Sequence, residues 1–584
     1  MTIIEADAIP RDKARSALSA LLLPDPPLLA LHSDGVVLIY GRDMTAIEAG
    51  QRLAESLDVT VLLTDTTGIA IPPALPFPVA RGRITSATGH FGAYEATVDG
   101  FAPPRPAPDG GVAFGATRDG AVSRCDLILD LSGEAPLFPA HEARDGYLKA
   151  DPLLAEAVAA KLAEASELVG EFDKPKYVAY RKELCAHSRS GITGCTRCLD
   201  ACAMQAIVPA GDHVEIDAYV CAGCGNCAAV CPTGAATYTL PTVDVQLDRL
   251  RTLLLEYRAA GGHDAVVLFH DGYVGGPLIE ALVGDLPANV LPFPVNEIKQ
   301  IGLESLAAAL AYGASAVRIL ARREPRNGIV TLGATVALAT EAAKALGYGD
   351  SACAIVHADA PDAVLAGLAA LPLGTPSPEP ASFKPVGNKR GLLELSLGML
   401  HQVAPAPVPV VALPQGAPFG AVEVEVEGCT LCHSCVTACP TGALSAGEDR
   451  PMLRFQESAC VQCGLCEATC PEDVITLRPQ LDFPAWAAPR RTLKEEEPFC
   501  CISCAKPFGT RSTIERVIAK LEGTHWMFSG ENARRLDAIR MCEDCRVEAV
   551  LNEGIDPYAG VQRPRTRTAG DYDGERNQRD GERR

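Results

Sequence analysis

Residues 221–232 read Cys-Ala-Gly-Cys-Gly-Asn-Cys-Ala-Ala-Val-Cys-Pro, and the pattern C-x2-C-x2-C-x3-C-P recurs at 429–440 (CTLCHSCVTACP) and 460–471 (CVQCGLCEATCP). A fourth run, Cys185, Cys195, Cys198 and Cys202, keeps the C-x2-C-x3-C portion. There the insertion Ala186–Gly194 (AHSRSGITG) stands where the others have two residues, and Ala203 replaces the proline. The runs form two pairs, so sixteen of the 23 cysteines fall into two tandem modules.

Three thiolates at i, i+3 and i+6 in a tight loop can wrap three corners of one iron–sulfur cube. The fourth, about one helical turn further on, points away and serves the neighbouring cube. The proline after it has no N–H and a fixed φ, both tolerated at a helix start. The crossed pattern predicts four [4Fe–4S] sites. Cys185, Cys195, Cys198 and Cys231 form the first, and Cys202, Cys221, Cys224 and Cys227 the second. Cys429, Cys432, Cys435 and Cys470 form the third, and Cys439, Cys460, Cys463 and Cys466 the fourth. His187, inside the insertion, could in principle replace a thiolate; the reading adopted is a solvated loop histidine with Cys185 as the ligand. Zinc takes four ligands as two separated pairs, which runs spaced 2-2-3 do not supply. An odd cysteine count, far below the density of disulfide scaffolds, argues against a disulfide framework.

Near the C-terminus the spacing changes. Cys501 and Cys504, and Cys542 and Cys545, are two C-x2-C pairs separated by a helical segment at Thr513–Leu521. This is the arrangement of a closed four-thiolate structural zinc site, without an open position for catalysis. Cys500 is adjacent, but only Cys501 has the preferred spacing to Cys504.

At 584 residues the chain holds several domains, and 48% hydrophobic content is ample for packed cores. The formal charge of −21 argues against nucleic acid and anionic membrane surfaces. It is compatible with steering toward a basic patch on a redox partner, though solubility is the simpler account. The apolar stretch Ala17–Leu31 follows Arg11, Lys13 and Arg15, but Pro24, Asp25, Pro26 and Pro27 break it well short of about 20 apolar residues. With no twin-arginine pair ahead of it, the expectation is a cytoplasmic protein.

The expected fold class is multidomain α/β: Rossmann-like or flavodoxin-like parallel-sheet domains, two inserted ferredoxin-like dicluster modules, and a small zinc-ribbon-like segment. An N-terminal α/β domain (1–150) has strands at Val36–Tyr40, Val59–Leu63 and Cys125–Leu131 and a helix at Met44–Leu57. Its Gly41–Thr45 turn lacks G-x-G-x-x-G and reads as a structural βα turn. Cys125 reads as a small buried apolar residue. The first module spans 175–240. A central α/β domain follows (243–382), with strands at Ala265–Phe269, Asn289–Phe293, Ala316–Leu320 and Ala354–His357. Its helices are Leu247–Ala259, Pro277–Leu286, Glu297–Tyr312 and Thr331–Leu346. His270-Asp271-Gly272 ends a strand and reads as a polar turn; Cys353, the only cysteine between the modules, gives no reason to expect a metal centre there. A Pro-rich linker (383–420), the second module (422–480), the four-cysteine region (495–556) and a polar tail expected to be disordered (562–584) complete the chain.

The tandem cysteine runs resemble the bacterial two-cluster ferredoxin family. The layout as a whole resembles the large cytoplasmic ferredoxin-like proteins found alongside formate dehydrogenases. The resemblance rests on GRDMTAIEAG at 41–50, both modules, FCCISCAKPFG at 499–509 and RMCEDCRVEA at 540–549. It implies electron exchange with a molybdenum or tungsten oxidoreductase, or help in its assembly. The middle domain is similar to the delta subunit of methyl-viologen-reducing hydrogenases, whose own cysteines are missing here. The expected function is therefore single-electron transfer, with no nucleophile–base–acid set for substrate chemistry. An electron-transfer subunit of a flavin- or NAD-dependent complex is the alternative.

Overall fold

The computed structural model describes residues 3–552 except 68, 70, 73, 107–111, 139–143, 325–328, 449, 523–527 and 529; the expectation for 562–584 falls outside them. Among the described residues no helix is long and apolar enough to cross a membrane. The chain divides into two compact units. One runs through Phe419 and includes Val461–Cys463 and Pro479–Pro484; the other comprises Gly420–Cys460, Gly464–Arg478 and the chain from Ala485 onward.

The first unit opens with a helix, Ile3–Ser19, and a strand, Leu28–Ser33, so the proline-broken stretch Ala17–Leu31 divides between two ordinary elements. A seven-stranded sheet follows. Its spatial order is Tyr147–Lys149, Leu127–Leu131, Val36–Gly41, Asp58–Leu63, Val79–His90, Ala93–Ala102, Ala121–Cys125. The first five are mutually parallel, but the last three pair antiparallel. The sheet is thus mixed rather than parallel throughout. The expected strand Cys125–Leu131 is two strands broken at Asp126, whose carboxylate accepts from the Val36 N–H at 3.0 Å. Leu127–Leu131 is buried on both faces, its one charged residue, Asp130, pairing with Lys149 at 2.8 Å and accepting from the Tyr147 hydroxyl at 2.6 Å. The helix Met44–Leu53 starts where Asp43 accepts from the Thr45 N–H at 3.0 Å. A Cβ on Gly41 would lie 2.5 Å from that of Ala46, so this glycine serves close strand–helix packing.

The central domain is an all-parallel four-stranded sheet in the order Val290–Pro294, Val266–His270, Ala316–Ala321, Cys353–His357. The expected helix Glu297–Tyr312 divides into a 3-10 turn, Ile298–Gln300, and an α-helix, Leu303–Ala311, with extended Gly302 between them. Asp271 accepts from the N–H groups of Tyr273, Val274 and Gly275 at 2.6–3.1 Å and so holds the turn that leads from the strand Val266–His270 into the next helix. The segment assigned as a Pro-rich linker contains a helix, Lys389–Gln402, capped by Asn388 and burying Leu392, Leu393, Leu397 and Leu400. Flanking prolines masked its 3.6-residue period.

In the second unit the hairpin Leu444–Ala446/Met452–Phe455 is extended by Arg491–Glu495. Its core gathers Val422, Leu431, Leu453, Phe455 and Ile475. The hairpin Pro498–Cys500/Pro507–Thr510 and the helix Arg511–Leu521 dock on the cysteine loop, Thr510 and Thr513 donating to the Thr430 carbonyl at 3.3 and 2.6 Å.

Candidate iron–sulfur and metal centres

Each C-x2-C-x2-C run folds by the same local rule. The residues on either side of the middle cysteine have positive φ: Gly223 and Gly225 around Cys224, Leu431 and His433 around Cys432, Gln462 and Gly464 around Cys463. Alternating left- and right-handed residues turn successive N–H groups into one concavity, the kind of nest that holds phosphates and iron–sulfur clusters. Three of these six are glycines, for which the conformation is free. Leu431, His433 and Gln462 adopt it against their preference, which a functional loop can impose.

A five-residue helix follows each loop: Asn226–Val230, Ser434–Ala438 and Leu465–Thr469. The third cysteine lies in its first turn (Cys227, Cys435, Cys466). The fourth is the C-cap, with extended backbone (Cys231, Cys439, Cys470). The proline after it therefore ends a helix rather than starting one. It forces the cysteine before it out of the helical region, which turns the fourth side chain away from the first three. Cys202 takes the same C-cap position, φ −89° and ψ 93°, without a following proline.

The first run departs from the rule because of its insertion. Ser188–Arg189 and Ile192–Thr193 pair as a miniature hairpin. His187, expected in solvent, is buried, and its Nδ1 lies 3.0 Å from the Cys195 carbonyl oxygen. Together with the Gly194 N–H to His187 carbonyl and Cys195 N–H to Ala186 carbonyl bonds, it closes the base of the insertion, which is seven residues longer than the spacing in the other runs.

The crossed grouping appears in the electrostatics of the thiols. Burial first, and then the adjacent sulfurs of Cys231, Cys195 and Cys185, push Cys198 up to about 12. Burial also raises Cys227, whose sulfur neighbours are Cys221, Cys224 and Cys202, with Cys198 of the adjoining set beyond them. Burial and the sulfurs of Cys429, Cys432 and Cys470 push Cys435 up to about 12. Three of the four predicted sets are thus brought together, each with its crossed member. Cys439, Cys460 and Cys466 of the last set lie in an apolar cluster that also holds Cys429, Cys435 and Cys470, and Cys463 lies in the loop before Leu465–Thr469. Sulfurs this close, each disfavouring its neighbour's ionisation, are what a cationic iron core would relieve; the four-thiolate sets fit the cubes in donor type and number.

Several contacts to these sulfurs were not legible from spacing. Backbone N–H groups of Ala206 and Ala236 donate to Cys202 and Cys231 Sγ at 3.3 and 3.4 Å. The Tyr180 hydroxyl accepts from the Val214 N–H at 3.2 Å; burial raises its pKa, with a hydrogen bond to Cys185 adding to the shift. Arg197, lowered by burial, stands beside Cys195 and Cys231. Alone among the sixteen, Cys432 is exposed; desolvation would raise its thiol, but hydrogen bonds from Ser434 and Thr430 and its own backbone together hold it below the ordinary value. Bonds of this kind tune cluster potential.

The C-terminal constellation also assembles. Sγ atoms of Cys501, Cys504, Cys542 and Cys545 all lie within 4.8 Å of one another, those of Cys504 and Cys542 at 3.6 Å. Cys500 points outward and is not in the group. The first pair sits on a hairpin loop turned by left-handed Ala505; the second brackets the start of the helix Glu543–Asn552 rather than lying on a second hairpin. Burial would raise the Cys501 thiol, but backbone donors at Cys504, Cys542 and Ser503 outweigh it and hold it at about 6. Hydrogen bonding to Cys504 pushes Cys545 up to about 12. Four thiols at this separation could hold a tetrahedral ion. Cys125 and Cys353 are buried away from all these groups, each raised to about 12 by burial.

No curated protein matches the chain. Family models match it twice: residues 193–235 and residues 428–475 each match a 4Fe-4S dicluster domain. The two matched segments lie within the two cysteine modules. The chain therefore contains two segments of the 4Fe-4S dicluster type, one in each tandem cysteine module.

Proposed function

We propose that the protein carries single electrons through four [4Fe–4S] clusters, two in each dicluster domain. The ligand sets are the four crossed quartets given above. The observation supporting this most directly is the gathering of Cys231 with Cys185, Cys195 and Cys198, and of Cys470 with Cys429, Cys432 and Cys435. A fourth cysteine lent across each pair keeps its two cubes adjacent, so an electron entering one can pass to the other without substrate chemistry. The clusters supply the electron-accepting centre; the chain supplies thiolates, N–H donors to sulfur and buried charge. Cys501, Cys504, Cys542 and Cys545 hold a structural zinc that braces the C-terminal region. The electron partner is a cytoplasmic oxidoreductase, with a formate dehydrogenase favoured by the resemblance of the layout.

Anaerobic purification with metal and sulfide analysis, and EPR of the dithionite-reduced protein, tests the reading. About sixteen irons, about as many labile sulfides and about one zinc per chain are expected, with spin-coupled signals from paired clusters. Colourless protein without labile sulfide defeats it. Stoichiometric recovery of visible absorbance when the reduced protein is mixed with oxidised formate dehydrogenase supports the partner; no electron exchange with that enzyme rejects it.

A further inference from the structure

Two lysines distant in sequence each donate to peptide carbonyls at a run cysteine, one in each dicluster domain. Lys389, first residue of the helix Lys389–Gln402, directs its ammonium onto the carbonyl oxygens that end the helix Asn226–Val230. It donates to Ala228, to Ala229 at 2.7 Å and to Cys231 at 3.3 Å. Lys494, on the strand Arg491–Glu495, donates to the carbonyls of Cys429 and, at 3.0 Å, Val426. Their side chains are only 7% and 10% exposed. Each has one carboxylate near it: Glu304 at 3.6 Å from Lys389, Glu496 at 3.4 Å from Lys494.

A lysine on the last carbonyls of a helix is ordinary at a surface. Taking an ammonium out of water costs several kcal/mol unless negative charge compensates it. Beside Lys389 that compensation is incomplete: Glu304 Oε2 makes no hydrogen bond, and burial pushes its carboxyl above the usual carboxylate range while Lys389 pulls it partly back. Lys494 stands beside the Cys429 sulfur, and Lys389 lies at the carbonyl of Cys231, whose sulfur joins the first quartet. In both domains the cysteine concerned belongs to the same kind of set, three sulfurs of the first run with the last sulfur of the second. Arg197 adds a further cation beside Cys195 and Cys231. Lys174, near Cys221 of the adjoining set, differs: Asp145 binds its ammonium at 2.8 Å and its carbonyl contact is Tyr219.

Resting on the four-cluster reading, we infer that Lys389 and Lys494 favour the reduced, more negative state of the cluster each adjoins and so raise its reduction potential. The clusters concerned are that of Cys185, Cys195, Cys198 and Cys231 and that of Cys429, Cys432, Cys435 and Cys470. An electron in either pair then rests preferentially on the cube beside the lysine.

The test is an EPR-monitored redox titration of the full-length, anaerobically purified protein. Lys389→Met should lower the potential of one cluster of the first pair, changing its reduced-to-oxidised ratio about tenfold at fixed potential, or about 59 mV for one electron. The other three clusters should hold their potentials. Lys494→Met should do the same to one cluster of the second pair. Glu496→Gln, which removes a negative charge beside Lys494, should move that same cluster the opposite way. A carbonyl-capping role alone gives no such reversal of sign. Should Lys389→Met fail to fold, the Lys494 and Glu496 variants decide. Wild-type iron and sulfide with unmoved potentials, or equal-sign shifts for Lys494→Met and Glu496→Gln, overturn this inference alone; a wild-type protein without iron overturns the four-cluster reading with it.

Discussion

The ammonium of Lys389 and the carboxylate of Glu304 lie 3.6 Å apart, both almost fully buried, while the lysine donates to the peptide carbonyls of Ala228, Ala229 and Cys231. Removing one member of such a pair leaves the other charged or protonated in a dry site, at a cost of about 3–5 kcal/mol. Lys389→Met should therefore destabilise the first unit by roughly that much. The pH dependence has a definite sign. Glu304 is raised in the folded state, so the folded protein binds more protons than the unfolded chain, and stability falls as pH rises through the raised value. Without Lys389 the rise is larger, so the fall should be steeper and extend to higher pH. Denaturant midpoints of variant and wild type across mildly acidic to neutral pH check this; a pH-independent difference contradicts it.

Crossed ligation predicts asymmetric damage. Cys231→Ser should remove the cluster of Cys185, Cys195 and Cys198, about a quarter of the iron, and spare that of Cys221, Cys224 and Cys227. Cys439→Ala should likewise damage the cluster of Cys460, Cys463 and Cys466 rather than that of Cys429–Cys435. Iron analysis and EPR spin counts read the outcome. Equal loss of both clusters in a pair speaks against the crossing.

The C-terminal quartet predicts that metal, not packing alone, orders its region. Its apolar core is small, centred on Phe499, Ile514, Ile518 and Leu536. Cys501→Ser should abolish zinc binding and make the chain beyond Glu497 readily cleaved by trypsin. Cys500→Ser should leave zinc content at the wild-type level, because that side chain lies outside the quartet. Identical behaviour of the two variants would refute the assignment.

Gly225 follows Cys224 at φ 80°, and a Cβ there would meet that of Gln300 at 2.5 Å. Gly225→Ala therefore combines backbone strain with a collision and should cost more than about 1 kcal/mol. Loss of iron on mild heating, measured by the decay of visible absorbance, is the readout; a half-life equal to wild type would show that the loop yields.

His187 ties the insertion to the Cys195 carbonyl. His187→Ala leaves that contact unmade and should cost about 1–3 kcal/mol, with iron release fastest from the cluster of Cys195. EPR taken during chelator challenge distinguishes this from uniform loss.

The cysteine spacing carried most of the site, because covalent pitch alone decides which thiols can meet. It could not reveal the left-handed residues at Leu431, His433 and Gln462, which nothing in their chemistry favours. Nor could it reveal Lys389 or Lys494, which reach their cysteine carbonyls only through the tertiary fold. Parallel strands in the central domain were legible as short apolar runs between helices. The hairpin Val79–His90/Ala93–Ala102 was missed, since its glycines and polar residues blur the alternation of a two-sided strand. His187 was misread because a polar side chain in a glycine-containing loop suggests solvent, whereas its partner is a backbone oxygen eight residues away.

Cys432 gives one corner of its quartet to water while the other fifteen run cysteines stay at least partly covered. Attack by dissolved oxidants begins where a sulfur can be touched, so the ligand nearest water is the first to be oxidised away from its iron. Among the sixteen run cysteines, ageing in air should thus start at this loop, with the cluster of Cys429, Cys432, Cys435 and Cys470 the first to lose iron.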